Sequence, residues 1–225
     1  MAEAPILVSK GAEAEIYLAH LHGLKVVIKK RVDKPYRTQE FNRFFIVNRT
    51  RIEAKILSEL HLAGLNVPAL LFVDEEAGVL GMEYVEGERL SNIIDTLDHN
   101  AIVSVAREIG SFAGRMHKLC IYHGDYTLAN VIASKRGLVV IDFGLAGYST
   151  DIEEFAIDLH LMLRSVHAMR PDAASVFEKN MVEAYVQSYG VHGESIIRRM
   201  REIRARGRYV DRELRKSIMK ERYVG

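Results

Sequence analysis

The stretch HGDYTLANVIASKRGLVVIDFG, residues 123–144, limits the possible folds of this chain more than any other. Three oxygen-bearing side chains, Asp125, Asn130 and Asp142, are spaced around a short run of Ile, Leu and Val. A divalent cation such as Mg2+ takes hard oxygen ligands, usually one or two carboxylates together with phosphate oxygens. Phosphoryl transfer needs such a metal and a carboxylate aimed at the attacking hydroxyl or water. The order H-x-D, an Asn five residues after the Asp, a strand and then D-F-G supplies both parts. Asp125 would orient the acceptor, and Asn130 and Asp142 would ligate the metal. LVVID is expected to be a strand that returns Asp142 to the Asp125 loop. A surface hairpin would also use Asp and Asn as turn residues, but order, spacing and DFG together favour a nucleotide-phosphate site.

The rest of the composition leaves room for that machinery. A chain of 225 residues can form one large domain or two small lobes around a cleft. A hydrophobic share of 48% and a charged share of 27% are ordinary for a soluble globular protein. No run approaches the ~18 apolar residues of a membrane span. The start, MAEAPILVSKG, lacks the features of a signal peptide. The single cysteine, Cys120, excludes an intrachain disulfide or a cysteine metal cluster, so a reducing, cytoplasmic setting is expected. The net charge of +1 is unevenly spread. From Ile196 to Gly225 there are 11 Lys/Arg against 4 Asp/Glu, a balance of +7 that leaves −6 on residues 1–195. Such a tail suits an acidic partner or a nucleic acid, or is simply a solvated Arg-rich helix.

Hydrophobic periodicity gives an α+β chain. Apolar runs at 6–8, 16–21 and 25–30, punctuated by Gly11 and His22–Gly23, predict three antiparallel strands. Ile52, Ile56, Leu57 and Leu60 predict a helix through RTRIEAKILSELHLAGL, stopped near Gly64. LLFVDEE and VLGMEYVEG predict two further strands. Helical stripes follow over 100–119 and 152–189. The expected division is a sheet-plus-helix lobe over 1–86, a helical lobe with the catalytic and metal loops over 87–195, and a basic helix or tail over 196–225.

The 123–144 loops resemble those of the protein-kinase superfamily, with its bilobal fold. HGD stands where conventional protein kinases have HRD, and aminoglycoside and choline kinases share the HGD form. The resemblance implies a strand-ending lysine for the ATP phosphates. VVIKK offers Lys29 and Lys30 on opposite faces of a strand, and the V-A-I-K analogy selects Lys29. Its partner on the following helix would be Glu53. MEYVEG would be the hinge, where backbone groups of Glu83 and Val85 bond adenine and Met82 packs behind the base. Two conventional parts are absent. KGAEAEIY replaces a glycine-rich loop, and only 15 residues separate Asp142 from Asp158, with no APE. A chain lacking that peptide ledge is expected to act on water, on itself or on something a partner presents.

GAEA at 11–14, VIKKR, Tyr36–Arg37, RTRIEAKIL, HGDYTLAN, IDFGL and DIEEFAIDL together resemble the small atypical kinase/ATPase subunit of the KEOPS complex, the PRPK family. The resemblance covers essentially the whole chain. It implies an ATP- and Mg2+-dependent ATPase and serine/threonine kinase serving threonylcarbamoylation of tRNA. The implied partners are a metal-dependent synthase subunit, a small regulatory subunit on the sheet lobe, and tRNA. Arg204, Arg206 and Arg208 of the tail would contact the synthase or tRNA. Gly11, Ala12, Glu13 and Ala14 would cover the phosphates, with Glu13 where other kinases place only backbone. The chain departs from the family at Gln39 and Asn42, where a Pro and an Asp are common, and at Tyr126, Leu128 and Ala129 of the catalytic loop. Rival readings are an aminoglycoside-type phosphotransferase, with only 81 residues after Gly144 to build its acceptor site, a RIO-type kinase, and a scaffold with vestigial nucleotide binding.

Overall fold

The computed structural model describes residues 4–11 and 13–206. The chain runs β1 (Ile6–Lys10), β2 (Ala14–Leu21), β3 (Leu24–Arg31), α1 (Gln39–Leu62), β4 (Leu70–Asp74), β5 (Val79–Glu83), β6 (Gly87–Arg89) and α2 (Leu90–Ile93). It continues with α3 (His99–Lys118), β7 (Ile121–Tyr122), β8 (Val131–Ser134), β9 (Gly137–Val140), β10 (Gly147–Tyr148), α4 (Ile152–Met169) and α5 (Ala174–Tyr189). A last helical stretch covers 193–206. This is the α+β content expected of a protein-kinase-like chain.

Contacts gather these elements into two compact units that do not follow a linear boundary at residue 86. The first runs through Leu97 and also takes in His123–Tyr148. The second holds Asp98–Tyr122 and the chain from Ser149 onward. The hairpin with the three oxygen donors thus packs with the sheet.

In the first unit, five antiparallel strands lie in the order β1-β2-β3-β5-β4. His22 and Gly23 both have positive φ, 50° and 82°, which gives the two-residue turn the twist that β2 and β3 need. Helix α1 is 24 residues long and begins well before the expected start near residue 49. Thr38 caps it by accepting the Phe41 N–H at 3.3 Å, and Glu40 sits in its first turn. Its early part escapes periodicity because Phe41 and Phe44 are exposed rather than part of a buried stripe. Asn42 is buried there for a backbone reason. It donates to Lys34 O at 3.0 Å and accepts from Lys34 N at 3.1 Å, a pair of hydrogen bonds that an ionised aspartate, which only accepts, could not complete. A second sheet, β6-β8-β9, carries the polar loops.

The second unit is helical. Gly110 and Gly114 let α3 approach α5 at backbone distance, since a Cβ at 110 would lie 2.1 Å from Met181 O. His117 is buried between Tyr185 Oη at 3.0 Å and Asp158 Oδ2 at 3.3 Å, and stacks on Phe155. Burial, with the nearby Asp158 charge adding, pushes the Tyr185 phenol up. Arg199 bonds Glu153, and Arg204 bonds Glu178 at 2.6 Å, so the 193–206 helix is tied to α4 and α5. Gly110→Ala is expected to lower unfolding stability by about 1–3 kcal/mol through overpacking. Denaturant unfolding measures it, and an unchanged midpoint would contradict the close approach.

Candidate active site

Strand β3 places alternate side chains on opposite faces. Lys29 is buried, at 6% exposure, and Lys30 is exposed. The Lys29 ammonium donates to Glu53 Oε1 at 2.7 Å and Asp142 Oδ1 at 2.6 Å. Glu53 comes from the buried face of α1 and is 1% exposed. Burial alone would lower the Lys29 pKa, but the charges of Glu53 and Asp142 and their hydrogen bonds hold it above the ordinary lysine value. Burial likewise opposes ionisation of Asp142, and the Lys29 charge and hydrogen bond override it, holding that carboxyl below its ordinary range.

Asp142 has φ 63°, a conformation Asp tolerates better than most residues. Gly144 beside it leaves room for the lysine: a Cβ there would lie 2.9 Å from Lys29 Nζ. The loop before β8 is fastened by backbone and histidine. Asp125 N donates to His123 Nδ1 at 3.2 Å, so the imidazole Nε2–H is assigned as donor to Ile141 O at 3.1 Å. Asn130 Nδ2 donates to Asp125 O at 2.9 Å and to Asp125 Oδ2 at 2.8 Å. Ile141 N donates to Asn130 O at 2.9 Å, which joins the Asn130 loop to the segment entering Asp142.

A cleft of about 230 Å³ lies against these groups. Val27, Met82, Val85, Ile132 and Ile141 give it apolar walls, and Lys29, Asn130 and Asp142 mark its polar end. Flat apolar walls ending in a lysine, a carboxylate and an amide suit a purine base with a phosphate tail. With Nδ2 committed to Asp125, Asn130 has Oδ1 to offer a cation, and Asp142 has its second oxygen. One amide and one carboxylate match the sparse protein ligand set of Mg2+. Among the described residues no three His, Cys, Asp or Glu converge as a self-sufficient metal cage.

The other expected site residues fall differently. At the hinge, Glu83 N donates to Ala69 O at 2.9 Å, and Glu83 and Val85 both line the cleft. The Glu83 carboxylate instead binds Arg136 at 2.9 and 3.0 Å and Ala69 N at 3.1 Å. The GAEA turn is not among the cleft walls, which begin in β2 at Ile16. Gly11 N donates to Ala14 O at 2.9 Å, Glu13 O accepts from Val32 N, and Ala12 lies outside the described residues. In the tail, Arg204 is bound to Glu178, Arg206 is exposed, and Arg208 lies outside the described residues.

Sequence reasoning missed Arg31 and Arg89. Arg31 Nη2 reaches Glu53 Oε2 at 2.6 Å, and Arg89 Nη1 reaches Ala129 O at 3.2 Å beside the cleft. The signal for Arg31 was its spacing, two residues after Lys29 and therefore on the same strand face.

A protein-kinase domain model matches residues 7–164. The chain is 38% identical over 216 residues to the KEOPS complex subunit Bud32 of Pyrococcus abyssi, covering 92% of this chain and 97% of that protein. It is 34% identical to the probable serine/threonine-protein kinase BUD32 homolog of Archaeoglobus fulgidus, covering 90% and 95%. It is 36% identical to a probable bifunctional tRNA threonylcarbamoyladenosine biosynthesis protein of Methanobrevibacter smithii, covering 90% of this chain and 36% of that protein.

The site has a sign in pH. The depressed Asp142 carboxyl contributes stability above the ordinary carboxylate range, and that contribution fades as pH falls through its folded value. The raised Lys29 contributes below the ordinary lysine range and fades as pH rises through its own folded value. Asp142→Asn is therefore expected to melt below the wild type at pH 7, with the gap closing as pH falls below about 4. A gap that persists or widens in acid would contradict the pairing.

Proposed function

This chain belongs to the Bud32 family of the protein-kinase superfamily, and from that premise we propose an ATP- and Mg2+-dependent phosphotransferase and ATPase that serves tRNA threonylcarbamoyladenosine formation as a KEOPS subunit. The observation that carries the reading is the buried Lys29, bonded at once to Glu53 and Asp142 at the polar end of an apolar cleft.

Each residue then has a role set by its surroundings. Val27, Met82, Val85 and Ile141 hold the adenine by burial, and backbone groups of Glu83 and Val85 orient its edge. Lys29 holds the phosphates, kept in line by Glu53. Asn130 Oδ1 and Asp142 would hold Mg2+, which when bound neutralises phosphate charge and fixes the transferring group. Asp125, one carboxylate oxygen of which is held by Asn130, keeps the other for the proton of an attacking hydroxyl or water. Gly11, Glu13 and Ala14 of the β1–β2 turn would cover the phosphates of a bound nucleotide, and Ala12 between them is assigned to the same role from the sequence alone.

The acceptor follows from what the chain lacks. Only residues 145–151 separate Gly144 from the start of α4 at Ile152, too few for a peptide-docking ledge. Water, a serine on the chain or partner, or a partner-presented group is the acceptor. The partners are a metal-dependent threonylcarbamoyl synthase subunit, a small regulatory subunit on the sheet-bearing unit, and tRNA, with Arg206, Arg208 and the basic residues beyond them contacting synthase or RNA. The setting is the cytoplasm. Among the described residues, no helix is long and apolar enough to cross a membrane.

Asp142→Ala is expected to cut Mg2+-dependent ATP hydrolysis by about 100-fold or more, the scale of losing one electrostatic contact to a transferring group. Wild-type turnover in that variant would reject the site. Adding tRNA and the synthase subunit should stimulate hydrolysis. Turnover that responds only to a soluble amino-alcohol would favour the aminoglycoside-type reading. Ending the chain after Arg206 keeps the helix tied by Arg199 and Arg204, and should weaken tRNA or synthase association with a reduced salt dependence. Unchanged affinity across a salt series would remove the segment from that role.

A further inference from the structure

The buried glutamate at this site has two cationic partners. Lys29 Nζ lies 2.7 Å from Glu53 Oε1, and Arg31 Nη2 lies 2.6 Å from Glu53 Oε2, so each oxygen has a cation of its own. Arg31 is 5% exposed, and its Nε has no hydrogen-bond partner among the described residues. A buried guanidinium with one nitrogen unsatisfied is a poor choice for stability alone, since apolar replacements of buried ion pairs are often neutral or better. The geometry around it is nonetheless fixed. Arg31 N donates to Gly78 O at 2.9 Å, and a Cβ on Gly144 would lie 3.7 Å from Arg31 Nη2. The guanidinium therefore backs directly onto the Asp142–Gly144 segment.

Charge counting shows what it does there. Lys29 and Arg31 face Glu53 and Asp142, two cations against two carboxylates, and the cluster is neutral. Without Arg31, two carboxylates compete for one ammonium, and a net negative charge faces any phosphate tail. Glu53 is too deeply buried to be left without a counter-ion, so Lys29 alone would have to neutralise it.

We infer that Arg31 is a positioning residue that neutralises Glu53 permanently, so that the Lys29 charge stays available to nucleotide phosphates. The inference rests on the ATP-cleaving reading of the cleft. Arg31 is not among the residues that line the cleft, and its guanidinium hydrogen-bonds to Glu53. It adds a second cation to the lysine–glutamate pair, two residues further along the same strand face.

The test is a cycle of Arg31→Met, Glu53→Gln and the double variant in the full chain, with Arg31→Lys as the conservative control. ATP affinity with Mg2+ and ligand-free melting temperature are read for each. Arg31→Met should weaken ATP binding about tenfold, and Arg31→Lys should recover most of that loss because the charge is restored. In the Glu53→Gln background, Arg31→Met should change ATP affinity less than about twofold. The double variant should melt at or above the lower single variant, because both buried charges leave together. Equal weakening by Arg31→Met in both backgrounds would overturn the proposal, as would wild-type affinity in Arg31→Met. If Arg31→Met does not fold, Arg31→Lys decides: loss of affinity as large as in Glu53→Gln overturns it. A wild-type chain that neither binds nor hydrolyses ATP would remove the reading beneath the proposal, and the proposal with it.

Discussion

A glutamate almost wholly removed from water and held between two cations organises the sheet-bearing half of this protein. Glu53 stands on α1, and Lys29 and Arg31 stand on β3, so the ion cluster fixes the helix against the strand at one register. Coulomb attraction is strong at such depth, and so is the cost of leaving any member unpaired. A slip of one residue along β3 would put Lys30 inward and break both contacts at once. Apolar packing of Ile56, Leu57 and Leu60 makes α1 a helix of the core, and the ion cluster adds a polar tie at the same contact.

The same cluster reaches the second polar element through Asp142. Its carboxylate is carried there by β9, whose neighbour β8 follows directly on Asn130. His123 and Asn130 then hold the Asp125 loop against the segment that enters Asp142. Strand β3, helix α1 and the Asp142 segment are thus joined by a single ammonium, and the 123–130 loop is tied to that segment by His123, Asn130 and the Ile141 N–H. Such fastening suits the proposed site, because a phosphate tail and its metal would need donors already in place rather than donors recruited at each turnover.

Much of this was legible because spacing and strand parity are local. Strand parity puts Lys29 and Lys30 on opposite faces, the V-A-I-K analogy selects between them, and tertiary burial shows Lys29 on the covered face. Features that depend on tertiary contact were not legible. The first ten residues of α1 present Phe41 and Phe44 to solvent, so no apolar stripe announces them, although Thr38 and Glu40 carried a capping signal. The placement of β6 beside β8 is a long-range pairing with no local mark. Arg136 finds Glu83 across 53 residues of chain, and nothing in MEYVEG foretells that the glutamate points there. Arg31 lay in plain sight at two residues from Lys29, yet its partner Glu53 could be assigned to only one cation by motif alone.

Only residues 145–151 lie between Gly144 and the start of α4, so the short acceptor side of this chain is a property of the sequence itself. The most direct measurement is a crystal structure of the full chain with Mg2+ and a non-hydrolysable ATP analogue. The account predicts phosphates on Lys29, the cation between Asn130 and Asp142, and Glu53 still bonded to Arg31. Phosphates bound away from Lys29, or a cation held by neither Asn130 nor Asp142, would contradict it.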